Sequence, residues 1–497
     1  MFSRCFWTTK TNHLRHLSQK NRASVHRRSF ANLPTTNAQR QTIYALSTPP
    51  GKGGVAIVRV SGPDALTVWK RMDESLIDDG LAVYFRAPYS YTTRPTIELH
   101  IHSGRALISA LLSSLSSLPN LRPAEPGEFT RQAFQGGRLD LTQVEGLHDL
   151  IEADTEVQRV WALGSAGGET RAEYDSLRRQ IIHCLAQVEA LIDFGEGEDI
   201  EDGVYEQAKI EASHLLAQIK NHLSDNRRGE LVRSGIKMTI FGPPNAGKSS
   251  LFNYLANREA SIVTPIPGTT RDVLELTLDI GGLPVVVADT AGLRETLDIV
   301  EGSAFSEAGM HISLCVLPLP EVLAAHSPQG SEILIPSSVR DLINPSTYFL
   351  FNKLDLVSPA QTTLPKSAVL AQDTNSSSKD TIDLQNRGWL VSLTTGEGSH
   401  AFVQGLSKAL KARFNITDPS SSGQNKVHAP IITRARHRQH LESACKFLEA
   451  FMDLPPEDVV FAAEELRYAA QAIGRVTGDI GVEDVLDALF KDFCIGK

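Results

Sequence analysis

Cysteine is scarce in this chain: five among 497 residues, at positions 5, 184, 315, 445 and 494. The number is odd, no Cys-x-x-Cys occurs, and no Cys/His spacing suits a metal. Neither a disulfide framework nor a zinc site is therefore expected. No run of 18 apolar residues occurs, so no transmembrane helix is expected. Acid is missing from the N-terminal stretch, where the first carboxylate is Asp64. The first 30 residues carry seven Lys or Arg, many Ser, Thr, Asn and His, and scattered Phe2, Phe6, Trp7, Leu14 and Leu17. Residues 1–35 thus read as a mitochondrial transit peptide, with a basic RNA-binding arm as the alternative. Cleavage near Phe30–Ala31 would remove those seven charges and take the formal charge from −9 to −16. So acidic a chain is a poor nonspecific binder of nucleic acid, because neutralising phosphate supplies most of that affinity.

What is present begins with Gly242-Pro-Pro-Asn-Ala-Gly-Lys-Ser-Ser250. It fits G-x-x-x-x-G-K-[ST] through Gly242, Gly247, Lys248 and Ser249. A strand-like run, Ile236–Phe241, precedes it and a helix-like run, Ser250–Leu255, follows. That context aims backbone N–H groups at phosphates. Lys248 reaches the outer phosphates, and the Ser249 hydroxyl ligates Mg²⁺. Asn352-Lys353-Leu354-Asp355 follows the apolar run Tyr348–Phe351. The Asp355 carboxylate can accept from both guanine donors, a pattern adenine lacks. Asp289-Thr290-Ala291-Gly292 ends the apolar run Pro284–Ala288. Asp289 would hold Mg²⁺ through water and Gly292 would present an N–H to the last phosphate. Gly268-Thr269-Thr270 lies between, with Thr270 as the second Mg²⁺ hydroxyl. Ser392, Leu393 and the run to Gly398 close the set beside the base. Together they predict a GTP site built from Gly242, Asn245, Ala246, Gly247, Lys248, Ser249 and Ser250, the loop Thr264-Pro265-Ile266-Pro267-Gly268-Thr269-Thr270, Asp289 to Gly292, and Asn352, Lys353, Asp355, Ser392 and Leu393.

The residue after the Asp-Thr-Ala-Gly motif is Leu293, which cannot orient a water where Ras-like GTPases place Gln. Transition-state charge still needs a cation. The Asn245 carbonyl, with loop carbonyls from Thr264 to Thr269, can hold a monovalent one. Glu301 can position the water; a solvated helix acid is the alternative reading.

Around this segment the pattern changes. Residues 41–138 mix strands (Ala56–Val60, Ile97–Ile101) with a helix near Leu107–Leu118. His100 and His102 share a strand face with no third metal ligand at useful spacing. From Leu141 to Asp225 the period is helical, with a stripe at Leu177, Ile181, Leu185, Val188 and Ile192. Helical pattern resumes from His437 to Phe493. The acidic run Glu196–Asp202 reads as a solvated loop, and Asn375–Lys379 and Pro419–Gly423 as flexible loop and linker. The expected fold is α/β plus α: an N-terminal α+β domain (41–138), and a helical bundle (139–233 and 427–497) into which a Ras-like P-loop GTPase domain (234–415) is inserted.

The motifs resemble those of the MnmE/TrmE tRNA-modification GTPases, their mitochondrial branch in particular. The resemblance rests on Thr48-Pro-Pro-Gly-Lys-Gly-Gly-Val-Ala-Ile-Val-Arg59, Pro126–Thr130, Ala133–Gln143, Asn245–Ser250, Gly268–Asp272, Asp289–Glu295 and the terminal Phe493-Cys-Ile-Gly-Lys497. It implies a potassium-dependent GTPase, with K⁺ ligands at Asn245, Thr264, Ile266 and Thr269 and the catalytic acid at Glu301. It implies a homodimer that works with an FAD-containing MnmG/GidA-like partner on carbon 5 of the wobble uridine of tRNA. The partner would supply basic surface that the acidic chain lacks. The resemblance also implies a 5-formyl-tetrahydrofolate site at Arg59, Glu98, Arg138 and Lys497, and a chemical role for Cys494 beside the alternative of a small packing residue. Arg138 stands where the family usually has Lys, which keeps the charge and alters the geometry. The segment Ser90–Thr96 replaces a Gly-Glu-Asp turn, the first domain is shortened between Met72 and Leu81, and the switch helix after Glu301 is about one turn short. Pro318–Pro345 reads as a Pro- and Ser-rich loop where a helix normally follows the strand. A ribosome-assembly GTPase of the Era/Der kind shares the GTP motifs, but it would need a basic RNA-binding domain after them, and the C-terminal third is not basic. A non-catalytic folate-binding scaffold would show a broken phosphate loop, and this one is intact.

Overall fold

The structure, a computed structural model, describes residues 41–71, 77–194, 203–225, 227–257, 261–262, 275–288, 311–324, 333–357, 367–370, 381–416, 429–479 and 496. Outside them lie the expected transit peptide, the 264–270 loop, Asp289–Gly292, Leu293, Glu301, the acidic run 196–202, both Ser-rich segments, Cys494 and Lys497. The chain divides into two compact units, one of residues 1–148, 165–183 and 467–497, the other of 149–164 and 184–466.

The first unit holds a five-stranded sheet: β1 (Thr42–Leu46), β2 (Gly53–Ser61), β3 (Leu81–Phe85), β4 (Thr96–Ser103) and β5 (Leu121–Pro123) in the order β3-β4-β2-β1-β5. All pairings are antiparallel except β1 with β5. The two-residue period sorts the faces. Ala56, Val58 and Val60 of β2 and Ile97, Leu99 and Ile101 of β4 are buried, and they pack with Leu111 and Leu115 of helix Arg105–Ser116. The opposite face brings Arg59 directly across from Glu98. His102 uses Nδ1 to bond the Asp78 carboxylate at 2.9 Å, and His100 Nε2 stands 3.8 Å from Glu98.

Helix Glu169–Phe194 corrects the expected apolar stripe. Thr170, Tyr174, Leu177, Ile181, Cys184 and Val188 are its buried positions, whereas Leu185 is half-buried and Ile192 is 40% exposed. The buried positions alternate spacings of three and four, and Leu185 and Ile192 fall a step round the helix at its edge.

The second unit holds a seven-stranded sheet in the order β15-β12-β10-β6-β9-β8-β7. Its strands are β6 (Ile236–Phe241), β7 (Ser261–Ile262), β8 (Glu275–Ile280), β9 (Leu283–Ala288), β10 (Ile312–Pro318), β12 (Thr347–Asn352) and β15 (Gly388–Leu390). From β15 to β9 the strands are parallel, and β8 and β7 join antiparallel. A parallel sheet buried on both faces reads as unbroken apolar runs, and every residue of β10 and β12 is buried. A smaller sheet joins β11 (Ile333–Ile335), β13 (Ser367–Leu370) and β14 (Thr381–Asp383). The expectation of a loop over Pro318–Pro345 is overturned: helix Leu319–Ala324 follows β10 directly, and β11 and a 3₁₀ turn (Ser337–Leu342) come after. Leu319, Val322, Ile333, Ile335 and Val339 supply the burial that outweighs the Pro- and Ser-rich composition.

Helices Val204–Leu223 and Ala435–Asp453 flank that sheet in sequence and pack along each other. Ala208, Ala212, Leu215 and Ile219 of the first and Leu441, Ala444, Leu448 and Phe451 of the second are buried. The Tyr205 hydroxyl donates to the Leu454 carbonyl at 3.0 Å. Arg438, 11% exposed, pins the other end: Nε donates to Glu230 at 3.0 Å, Nη1 to the Leu223 carbonyl at 2.8 Å and Nη2 to Asp225 at 3.3 Å.

Removing one member of a buried charge cluster strands the others. The prediction is that Arg438→Ala destabilises the chain by about 3 kcal/mol, read as a lower urea midpoint. A midpoint equal to wild type would contradict this role.

Candidate nucleotide site

The phosphate loop leaves β6 at Phe241. Gly242 has φ +152°, Asn245 +60° and Gly247 +101°, and helix Lys248–Ala256 starts at once. Two glycines are demanded by contact. A Cβ on Gly242 would stand 2.1 Å from the Val316 carbonyl oxygen, and one on Gly247 2.2 Å from Asn352 Nδ2. Lys248 Nζ donates to the carbonyls of Gly242 at 2.8 Å and Pro243 at 2.9 Å, so its charge is held across the loop. The helix presents its first N–H groups and positive dipole end to an anion cradled there. Ser249 lies in its first turn. On the adjacent strand Cys315 is fully buried, and burial pushes its thiol up against the opposing charge of Lys248.

The base side stands at the end of β12. Asn352 is 5% exposed, and its amide is used at both ends. Nδ2 donates to the Ala246 carbonyl at 3.0 Å, and Oδ1 accepts from the Leu393 N–H at 3.2 Å. Lys353 turns at φ +69°, and the Leu354 N–H reaches the Val391 carbonyl at 3.1 Å. The Ser392 hydroxyl donates to Asp355 Oδ1 at 2.6 Å and accepts from the Thr395 N–H at 3.2 Å. The structure therefore brings Gly242–Ser250 together with Asn352, Lys353, Asp355, Ser392 and Leu393. Thr264 to Thr270, Asp289 to Gly292 and Glu301 lie outside the described residues. The bridging amide of Asn352 joins segments 106 residues apart, and no local pattern announces it.

A second polar group lies on the charged face of the first unit's sheet. Arg59 Nε donates to Glu98 Oε1 at 2.9 Å. Its guanidinium centre lies 5.5 Å from the centroid of the Tyr91 ring and 5.6 Å from that of Phe129, within cation–π range. Burial pushes the Tyr91 hydroxyl up; its bond to Thr130 and the charges of Arg59 and Arg138 oppose this, which places Arg138 within electrostatic reach. Ser90 and Thr92 are fully buried. Ser61, Thr92 and Gln132 form a hydroxyl–amide chain, with Ser61 bonded to Thr92 at 2.6 Å and to Gln132 Oε1 at 3.0 Å. The segment Ser90–Thr96, anchored by its buried Ser90, Thr92 and Thr96, supplies Tyr91. Gly496 adjoins β1: the Ser47 hydroxyl donates to its carbonyl at 2.9 Å. In register, Leu46 and Ala45 stand opposite Val58 and Arg59. Sequence reasoning missed Tyr91 and Phe129; Tyr91 sits in a turn segment that carries no period.

Parallel sheet, glycine loop and base-side carboxylate define a P-loop nucleotide-binding protein. The family model for the MnmE helical domain matches residues 141–494, and that for the GTP-binding protein TrmE N-terminus matches residues 42–138. The chain belongs to the MnmE/TrmE family of tRNA modification GTPases. Among its relatives, a mitochondrial 5-taurinomethyluridine tRNA synthase subunit, GTPB3, of Danio rerio is 40% identical, over 92% of this chain and 93% of its own length. The tRNA modification GTPase MnmE of Parvibaculum lavamentivorans is 40% identical, over 92% of this chain and 100% of its own. The GTPB3 protein of Homo sapiens is 38% identical over 96% of both.

A carboxylate that accepts from a base's donors loses much of that recognition when it becomes an amide. Asp355→Asn is expected to weaken GTP binding by at least about 100-fold, and Ser392→Ala by about 10-fold through loss of one hydrogen bond to a charged group. Titration with a fluorescent GTP analogue reads both; unchanged affinity in Asp355→Asn would contradict the assignment.

Proposed function

We propose that the chain is a mitochondrial, potassium-dependent GTPase that acts with an FAD-containing MnmG/GidA-like partner to modify carbon 5 of the wobble uridine of tRNA. The carrying observation is the Asn352 bridge. It fixes an intact phosphate loop against the Leu393 loop, whose Ser392 bonds Asp355, in a chain alike over nearly its whole length to tRNA-modifying relatives.

In this reading Lys248 and the loop N–H groups bind the phosphates, and Asp355, oriented by Ser392, selects guanine. Ser249 and Thr270 would hold Mg²⁺, with Asp289 acting through water, and Asn245 with Thr264, Ile266 and Thr269 would hold K⁺; these cations would supply neutralisation of phosphate charge where no Gln follows the Asp-Thr-Ala-Gly motif. The left-handed turn at Asn245, inside the loop, supports this fit. Glu301 positions the attacking water. Hydrolysis drives a conformational change in a homodimer rather than the carbon chemistry itself.

The N-terminal unit binds 5-formyl-tetrahydrofolate, which supplies or mimics a one-carbon unit. Arg59 and Arg138 offer charge to its carboxylates, Glu98 an acceptor to its ring, and Tyr91 and Phe129 aromatic surface. Gly496 beside β1 supports a role for the terminal Lys497 there. The basic, acid-free N-terminal stretch and the mitochondrial names of the relatives support the mitochondrial location.

Nucleoside analysis of mitochondrial tRNA is the test. Deleting the gene is expected to abolish the carbon-5 substituent at the wobble uridine, a taurine-derived group being the first sought. Wild type is expected to restore it, and Lys248→Ala to fail. A full substituent in the deletion, or rescue by Lys248→Ala, would overturn the proposal.

A further inference from the structure

In GTPases the segments that touch the last phosphate and its Mg²⁺ change order with nucleotide state. By motif those segments here are Thr264–Thr270 and Asp289–Gly292, and one hairpin joins them. β8 begins five residues after Thr270, and β9 ends one residue before Asp289. The strands pair from Glu275 with Ala288 to Ile280 with Leu283. Gly281 and Gly282 close the hairpin with φ +63° and +89°, as a two-residue turn of type I′ requires. Six residues a strand make an arm of about 20 Å, with the turn at the end away from Asp289.

That turn is held by helices. A Cβ on Gly281 would stand 2.2 Å from Ser407 Oγ of helix Ser399–Arg413. The Val157 N–H, in the first turn of helix Glu156–Ala166, donates to the Gly282 carbonyl at 3.3 Å. Val157 Cγ2 lies 3.5 Å from where a Cβ on Gly282 would be. Val157 and Trp161 are buried in one cluster with Ile280, Leu283 and Val232. The same helix is tied to the approach to β6. Gln158 Nε2 donates to the Val232 carbonyl at 3.1 Å, and Gln158 Oε1 accepts from the Thr155 N–H at 3.1 Å. Asp149 accepts from Arg233 Nε at 3.0 Å and from Arg434 Nη2 at 2.6 Å. One short helix thus connects the hairpin turn with the residues that lead into the phosphate loop.

The seat of this helix is not fully satisfied. Trp161 Nε1 is buried and has no acceptor among the described residues. A buried donor left without a partner costs free energy, so this position of the helix is not held by every bond it could make.

We propose that helix Glu156–Ala166 reads the nucleotide state through the hairpin turn, with Val157 as the contact. This rests on the proposed function and names the route by which hydrolysis reaches a helix of the same unit. Gln158 and Asp149 hold the segment to the approach to β6, while the turn pulls on its first residues or releases them.

The experiment is hydrogen exchange of the full chain saturated with GDP or with a non-hydrolysable GTP analogue, read in peptides covering residues 155–163. Analogue affinity and urea midpoint are measured on the same preparations. In wild type, exchange of this segment is expected to differ between the two states by at least about fivefold. Val157→Ala is expected to erase the difference, and Val157→Ile, which keeps a branched apolar contact, to retain it. Analogue affinity should stay within about threefold of wild type, since Val157 lies outside the nucleotide site. A contact that only supports the helix would raise exchange by the same factor in both states of Val157→Ala, so a retained difference would overturn the route. Equal exchange in the two states of wild type would overturn it without any variant. Failure of the proposed function shows separately, as an unchanged wobble uridine in the gene deletion.

Discussion

The nucleotide site depends on one buried amide. Asn352 ties the Ala246 carbonyl of the phosphate loop to the Leu393 N–H of the base-side loop, and with only 5% exposure neither bond has water to replace it. Losing it would leave a buried donor and acceptor unsatisfied, which costs more than the bond itself contributes. The same amide explains Gly247, since any Cβ there would occupy the space of Asn352 Nδ2. Behind the amide, β10 lies between β6 and β12 with every residue buried. Its pairings of Cys315 with Phe241 and Pro318 with Asn352 set the separation of the two loops. The phosphate loop and the loop at the end of β12 are thus held by one buried layer, an arrangement that favours preorganised binding.

Charge is treated differently in the two units. In the first, Arg59 and Glu98 face each other across antiparallel strands on the sheet face opposite the apolar core, and two aromatic rings stand over the guanidinium. An alternating strand produces that arrangement with no further instruction: apolar residues meet the helix, and polar ones line the other side. In the second, Arg438 draws Asp225 and Glu230 inward and locks helix Ala435–Asp453 to the residues that lead into β6. Only Gly235 separates helix Arg228–Ser234 from β6, so this anchor is covalently close to the phosphate loop.

Much of this was legible in the sequence, because the phosphate loop and its flanking strand and helix are contiguous and their glycines answer to strict backbone demands. The strands β6, β9 and β12 likewise announce themselves as short apolar runs before motif residues. Long-range side-chain bonds were not legible. Asn352 is readable as part of a base motif, yet its bond to Ala246 leaves no trace in local spacing. Tyr91 and Phe129 reach Arg59 through tertiary packing alone. Ile192 falls off the buried stripe because steps of mostly four residues overshoot the helical 3.6, whereas Tyr174 and Cys184 hold the buried face. The helix at Leu319–Ala324 was hidden by composition, since burial of Leu319 and Val322 outweighs the prolines around it.

In the proposed function Asn245 of the phosphate loop serves a monovalent cation where Ras-like GTPases rely on other groups. The most direct measurement is GTP turnover in potassium against sodium at matched ionic strength, with Asn245→Ala beside the wild type. The account predicts turnover at least about 10-fold faster in potassium, given what one well-placed cation contributes to phosphoryl transfer, and loss of that preference in the variant. Equal turnover in the two salts would contradict it.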